Sequence, residues 1–154
     1  MDHSASHRND HYKMLAINLA ASLVVMYVVM FSMIDTAGEF YNNLDMFYMA
    51  LTMWAPMGIL MLLTMGSMFP NKKLNLALHI AFAGILVLSF LGTRTQAAIG
   101  DEQFLRSMIP HHSGAILMCR QAAIADPEIV ALCGRIQQSQ RAEIEQMKRI
   151  LERR

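Results

Sequence analysis

Three stretches of the chain, 14–34, 46–69 and 74–91, contain no Asp, Glu, Lys or Arg. Each is close to the length of about 20 residues that an apolar helix needs to cross a bilayer, and inside lipid a helix satisfies every backbone N–H and C=O within its own segment. Of 154 residues, 55% are hydrophobic and 16% charged, and the charges of the first two thirds are confined to the flanks and loops of these stretches. That distribution places most of the chain in a membrane. The first stretch is too long for a signal-peptide core, and no small-x-small cleavage pattern precedes Asp35, so it is expected to remain.

Arg8 and Lys13 precede the first span, Lys72 and Lys73 join the second and third, and the loop 35–45 has no basic residue. The excess of basic residues on cytoplasmic loops therefore puts the amino terminus in the cytoplasm. Three crossings then send 92–154 to the opposite side, the periplasm if the membrane is a bacterial inner membrane. Arg94 and Arg106 run against this orientation, while the other basic residues of the long translocated tail weigh less. The expected organisation is a cytoplasmic tail (1–13), a three-helix membrane domain (14–91), a linker (92–100) and a periplasmic domain (101–154).

That last domain reads as an antiparallel helical hairpin. Residues 101–125 carry an apolar stripe at Phe104, Met108, Ala115, Cys119 and Ala122. Asp126-Pro127-Glu128 then restarts a helix: Asp caps it, Pro takes the first helical position, and Glu favours the positive helix end. The second helix follows Ile129, Leu132, Ile136, Ile144, Met147 and Ile150 to about Leu151. Pro110 is expected to kink the first helix just ahead of two adjacent histidines.

Helical geometry puts Met108, His111, His112, Ala115 and Cys119 on one face and points both histidines inward. Gln140 and Glu143 fall beside Ile136 and Met147 on the second helix. Folding about residue 125 or 126 levels position 112 with 139–140. A buried carboxylate needs a cation, a donor or a proton. Glu143 hydrogen-bonded to His111 or His112 in a satisfied polar core is one reading. A metal site is the other, and imidazole beside the thioethers of Met108, Met118 and Met147 selects copper first, because thioether favours Cu(I).

The series Phe104, Met108-Ile109-Pro110-His111-His112, Ala115, Met118, Asp126-Pro127-Glu128, Gln140, Glu143-Ile144 and Met147 resembles the family described as domain of unknown function 305, over about residues 100–152. The resemblance implies a ferritin-like helical bundle, secreted or membrane-anchored in bacteria, with some members binding copper in the periplasm. Carried over, it implies Met108, His111, His112, Met118 and Met147 as ligands, with Gln140 and Glu143 as ligands or their supports. The expected fold is thus all-α: three transmembrane helices followed by a hairpin that is half of a four-helix bundle. A hairpin of about 60 residues buries too little apolar surface alone, so pairing of two hairpins in a homo-oligomer is expected, or cover from the membrane spans. A di-iron oxidase site would need Glu-x-x-His, and Met108 and Ile109 stand where those Glu residues would be.

Cys119 and Cys133 fall opposite each other in the hairpin, and a disulfide or two buried thiols are both open. In the second span, Met46, Met49, Met53, Met57, Met61, Met65 and Met68 share one broad face, with Pro56 expected to kink it. They are either flexible apolar filler or a thioether path for Cu(I). Copper transporters of the three-span trimeric type have MxxxM in their second span, yet their GxxxG is absent here, since Leu88 stands four residues after Gly84. His79 lies deep in the third span, as a functional group or bonded to Asn18 or Ser22. His3, His7 and His11 recur at four-residue spacing near the start. With no glycine-rich phosphate loop, no Ser-His-Asp set, no CxxC and no basic nucleic-acid patch, the chain is expected not to be an enzyme. The leading expectation is a copper-binding membrane protein that buffers the metal or delivers it to a periplasmic acceptor; Cu(I) transport and a metal-free oligomerisation module are the alternatives.

Overall fold

The computed structural model describes residues 3–154, with side chains from Asp10 onward. The side chains of His3 and His7 therefore lie outside the described residues. There are five α-helices, with short 3-10 turns in the first two connections, and no strand among the described residues: α1 His3–Val29, α2 Leu44–Thr64, α3 Lys72–Thr95, α4 Asp101–Gln121 and α5 Pro127–Glu152. Helix α1 begins at His3, within the expected tail 1–13, and α3 continues to Thr95, within the expected linker. The chain divides into two compact units, one containing α1 and Phe47–Ala97, the other combining Met30–Met46 with Ala98–Arg154.

Asp10–Met33, Leu44–Thr64 and Lys72–Thr95, which lie mostly in the first unit, are long and apolar enough to cross a membrane, the first of them ending and the second starting inside the other unit. Leu15, Leu19, Ala55, Leu62, Phe69 and Phe82 form the core of the first unit. Ile17, Val24, Val25, Val28, Leu60, Leu63, Ile80 and Leu88 face outward, as helices solvated by lipid require. Apolar attraction between helices is weak in lipid, so close packing and hydrogen bonds must hold them. Trp54 Nε1 donates to the Leu19 carbonyl at 2.7 Å, and its ring lies 5.3 Å from that of Phe82. Thr52 Oγ1 and Ser89 Oγ are bonded at 3.0 Å. At Gly58 a Cβ would lie 2.7 Å from the Phe82 ring, so α2 and α3 touch there only because the side chain is missing.

The second unit is a hairpin with a loop packed into its side. Asp126 accepts from the N–H groups of Glu128 and Ile129, with Pro127 in the first turn, so the expected restart forms as read. Leu105, Ile109, Ile116, Ile144 and Met147 make the core between α4 and α5. This is not the stripe expected on α4, since Phe104 is 50% exposed. The reason is that α4 is covered twice. Besides α5 it meets the segment 30–46, and Ser107, Pro110, Ser113 and Gly114 are buried as well. Gly114 admits that segment, because a Cβ there would meet Met33 at 2.8 Å.

Pro110 lies inside a continuous α4. Having no N–H, it leaves the Arg106 carbonyl without its helix partner, and Asn43 Nδ2 donates to that oxygen at 3.4 Å. Asn43 Oδ1 accepts from the Met46 N–H at 2.9 Å in the first turn of α2, and Gln103 Oε1 takes the Leu44 N–H at 2.9 Å. The missing cover for a small hairpin thus comes, in this chain, from its own loop 30–46. Ser113 is fully buried, donates to Glu39 Oε2 and accepts from the Asp35 N–H at 2.6 Å. Ser113→Ala would remove the acceptor of the Asp35 N–H and one of the two donors to Glu39 Oε2, which keeps the Thr36 N–H, and is expected to lower unfolding stability in detergent by about 1–3 kcal/mol, measured by chemical denaturation against the unsubstituted protein.

Candidate metal centre

His112 and Glu143 meet across the hairpin. His112 is buried, its Nδ1 lies 2.8 Å from the Met108 carbonyl, and its Nε2 lies 2.8 Å from Glu143 Oε2. The partner is one turn beyond the level expected from folding at residue 125 or 126. Ser139 Oγ donates to Glu143 Oε1 at 2.7 Å. It was not singled out from the sequence, although its position four residues before Glu143 on a helix would have revealed it.

The proton count follows from the partners. A carbonyl accepts only, and so does a carboxylate. With Glu143 ionised, both His112 nitrogens must carry protons, and the contact is an imidazolium–carboxylate pair. The Ser139 hydrogen bond, then those of His112 and its charge, hold the Glu143 carboxyl below its ordinary range against the opposing effect of burial. The ionised form is therefore the one this geometry favours.

Met108 precedes His112 by one helical turn and Met147 follows Glu143 by one turn. Met147 belongs to the core between the helices, and Met108 packs against it. Four members of the expected set are thus drawn to one end of the hairpin. The others are placed differently. His111 is exposed, a correction to the expectation that both histidines point inward; its ring centroid lies 6.1 Å from that of His112. Successive helical residues point about 100° apart, and here it is His112 that meets α5. Met118 is 68% exposed and six residues from His112, on another face. Gln140 is partly buried. Among the described residues no three His, Cys, Asp or Glu side chains cluster as a metal cage would require, so any soft-metal set here has to draw on thioethers.

Behind this pair lies a polar group the sequence reading missed. The Asp35 side chain is 1% exposed and faces Arg120 Nη2 at 2.7 Å and Arg141 Nη2 at 3.8 Å, one cation from each helix of the hairpin. The absence of basic residues in 35–45 was legible, but served only to orient the spans. Near the closed end, Cys119 and Cys133 are joined by a disulfide with their Cα atoms 5.3 Å apart.

The methionines of the second span do not form one face. Met46 is buried in the second unit. Met49 and Met53 are exposed. Met57, Met61 and Met68 pack on the core of the first unit, and Met65 lies beyond the end of α2. His79 bonds through Nδ1 to the Asn75 carbonyl of its own helix at 2.7 Å, not to Asn18 or Ser22.

Residues 91–151 match the family described as Domain of unknown function (DUF305). Over 144 residues the chain is 34% identical to an uncharacterized protein of Acanthamoeba polyphaga mimivirus, a similarity that takes in 92% of this chain and 93% of that one. No solved structure matches. The chain belongs to the DUF305 family, and its likeness to the viral protein, over 92% of the chain, takes in the candidate membrane spans as well as the hairpin.

Two outcomes follow from this geometry. A carboxyl held below its ordinary value of 4.5 contributes stability above that value and loses it as the pH falls through the lower, folded value. Thermal stability is accordingly expected to fall below about pH 4.5, and Glu143→Gln to flatten that loss in an acid series of melting curves. The disulfide closes a loop with a sequence separation of 14. Its reduction is expected to cost about 3 kcal/mol, read by denaturation with and without reductant, with mass spectrometry recording the gain of two hydrogens.

Proposed function

We propose that the protein is a membrane-anchored copper-binding protein that buffers or delivers the metal, or confers resistance to it. The observation that carries this reading is the meeting of His112 and Glu143 at 2.8 Å across two helices, with a methionine one turn from each. Copper here is cargo. His112 Nε2 is the donor that would take it, with the thioethers of Met108 and Met147 supplying the preference for Cu(I). Exposed His111, next in the chain, is suited to receive the ion from solvent.

Loading has a defined proton cost. Nε2 carries a proton toward Glu143, and metal can take that lone pair only when the proton leaves. Glu143 then either joins the metal or keeps Ser139 as partner. Metal and proton therefore compete for the same lone pair.

Three crossings leave 30–46 and the segment after α3 on one side of the membrane, and these are the stretches that build the second unit. That supports spanning by all three helices. The basic flanks Arg8, Lys13, Lys72 and Lys73 support the opposite, cytoplasmic side for the amino terminus, which in a bacterial inner membrane makes the hairpin periplasmic. Exposed Met118, Ile129, Val130 and Leu132 suit a second copy or an acceptor protein. The role is binding, not catalysis.

A second reading is favoured by the completeness of the His112–Glu143 pair, whose hydrogen bonds are satisfied without any metal: a latch that fixes the hairpin for assembly. Titration of the purified protein with Cu(I) and Cu(II) against a competing chelator separates the two. The expected result is tight binding that weakens about tenfold or more in a His111→Ala, His112→Ala double variant, with proton release on loading. Equal or absent binding in both proteins gives the latch reading.

A further inference from the structure

A second set of soft donors lies in the first unit. Residues of α1 and of the end of α2 enclose a cavity of about 120 Å³, lined among others by His11, Met14, Asn18, Met61, Met65 and Met68. His11 Nδ1 is buried and has no hydrogen-bond partner. An unsatisfied buried imidazole nitrogen is costly and calls for an explanation. Here the cavity beside it is rimmed by thioethers.

We propose that this cavity is a Cu(I) site, with His11 and the sulfurs of Met61, Met65 and Met68 as donors. It stands independently of the hairpin reading. Imidazole with thioethers is a soft set that prefers Cu(I) among biological cations. No carboxylate lines the cavity. A divalent ion there would keep its full charge in apolar surroundings, and because the solvation penalty grows steeply with charge, a monovalent ion is preferred. The site also lies at the end of the helices, since His11 is in the first turn of the candidate span Asp10–Met33 and Met68 in the 3-10 turn Gly66–Met68 beyond α2. An ion reaches it without crossing the apolar middle.

The donors are held in place. Tyr12, next to His11, donates to Asn75 Oδ1 at 2.8 Å and accepts from the Asn71 N–H at 3.3 Å. Its ring lies 5.2 Å from that of Phe69, which also lines the cavity. Asn75 Nδ2 in turn donates to the Phe69 carbonyl at 2.6 Å. The turn carrying Met65 and Met68 is thereby tied to the helix carrying His11, which is the support a binding site needs. Of the methionines in the second span, Met61, Met65 and Met68 serve this site, while Met49 and Met53 line a separate pocket with Phe90 and Arg94.

The test uses the full chain in mild detergent with His3, His7, His111 and His112 changed to alanine, so that the hairpin and the remaining N-terminal histidines contribute nothing. Cu(I) is titrated against a chromogenic chelator under anaerobic conditions. The expected result is retention of one Cu(I) per chain, with sulfur and nitrogen neighbours in X-ray absorption. Adding His11→Ala should weaken it about tenfold or more, and so should Met61→Leu with Met65→Leu, a change that conserves volume and leaves the fold in place. Met49→Leu should change nothing. The proposal is overturned if this background retains no Cu(I), or if affinity survives both the His11 and the paired methionine changes; either result leaves the hairpin's own titration to be judged separately.

Discussion

Ser113 is fully buried, and its hydroxyl joins the two remote stretches of chain that make the second unit, donating to Glu39 and accepting from the Asp35 N–H. Around it, Arg120 and Arg141 close on the Asp35 carboxylate from the two helices of the hairpin. Charged groups taken out of water are tolerated only when paired and hydrogen-bonded. The loop 30–46 therefore cannot leave the hairpin without stranding several of them at once. This seam makes a hairpin of modest size into a unit with an interior. It also sets the rotation of α4, whose face must serve the loop and α5 together.

That rotation decides the chemistry available at the adjacent histidines. With Ser113 and Pro110 turned to the loop, His112 falls toward α5 and meets Glu143, while His111 is left in solvent. The result is an ion pair at the edge of the core, one partner buried and the other, Glu143, with its side chain 45% exposed. An exposed carboxylate can be exchanged for another ligand of the histidine at little cost in solvation. A fully buried one could not, and that difference is what would let the same residues serve the proposed metal site as well as a latch without metal. The match to the DUF305 family covers residues 91–151, which take in the hairpin, and the similarity to the viral relative covers 92% of the chain.

In the first unit the same economy of polar groups works in the opposite solvent. Lipid gives apolar side chains no reason to associate, so Trp54, the Thr52–Ser89 pair and the Tyr12–Asn75 pair carry the contacts between helices. His11 Nδ1 and His79 Nε2 are buried without such a partner, and of the two it is His11 that lines the cavity with the methionines.

The sequence by itself determined the elements. Uncharged stretches of bilayer length gave the three helices long and apolar enough to cross a membrane, and Asp126-Pro127-Glu128 gave the break and restart of the hairpin, because span length and capping are local properties. It also named Glu143 as a partner for a histidine, since a carboxylate on an apolar face needs one. Tertiary structure alone decided which histidine that would be, which side of α4 is interior, and where the segment 30–46 goes. A helical wheel assumes one buried face, whereas α4 is covered on two, and the second cover comes from residues 59 to 85 positions away. Asp35 and Glu39 gave no periodic signal of burial, because a short irregular loop has no period to read; their partners became visible only once the chain had brought Ser113, Arg120 and Arg141 to meet them.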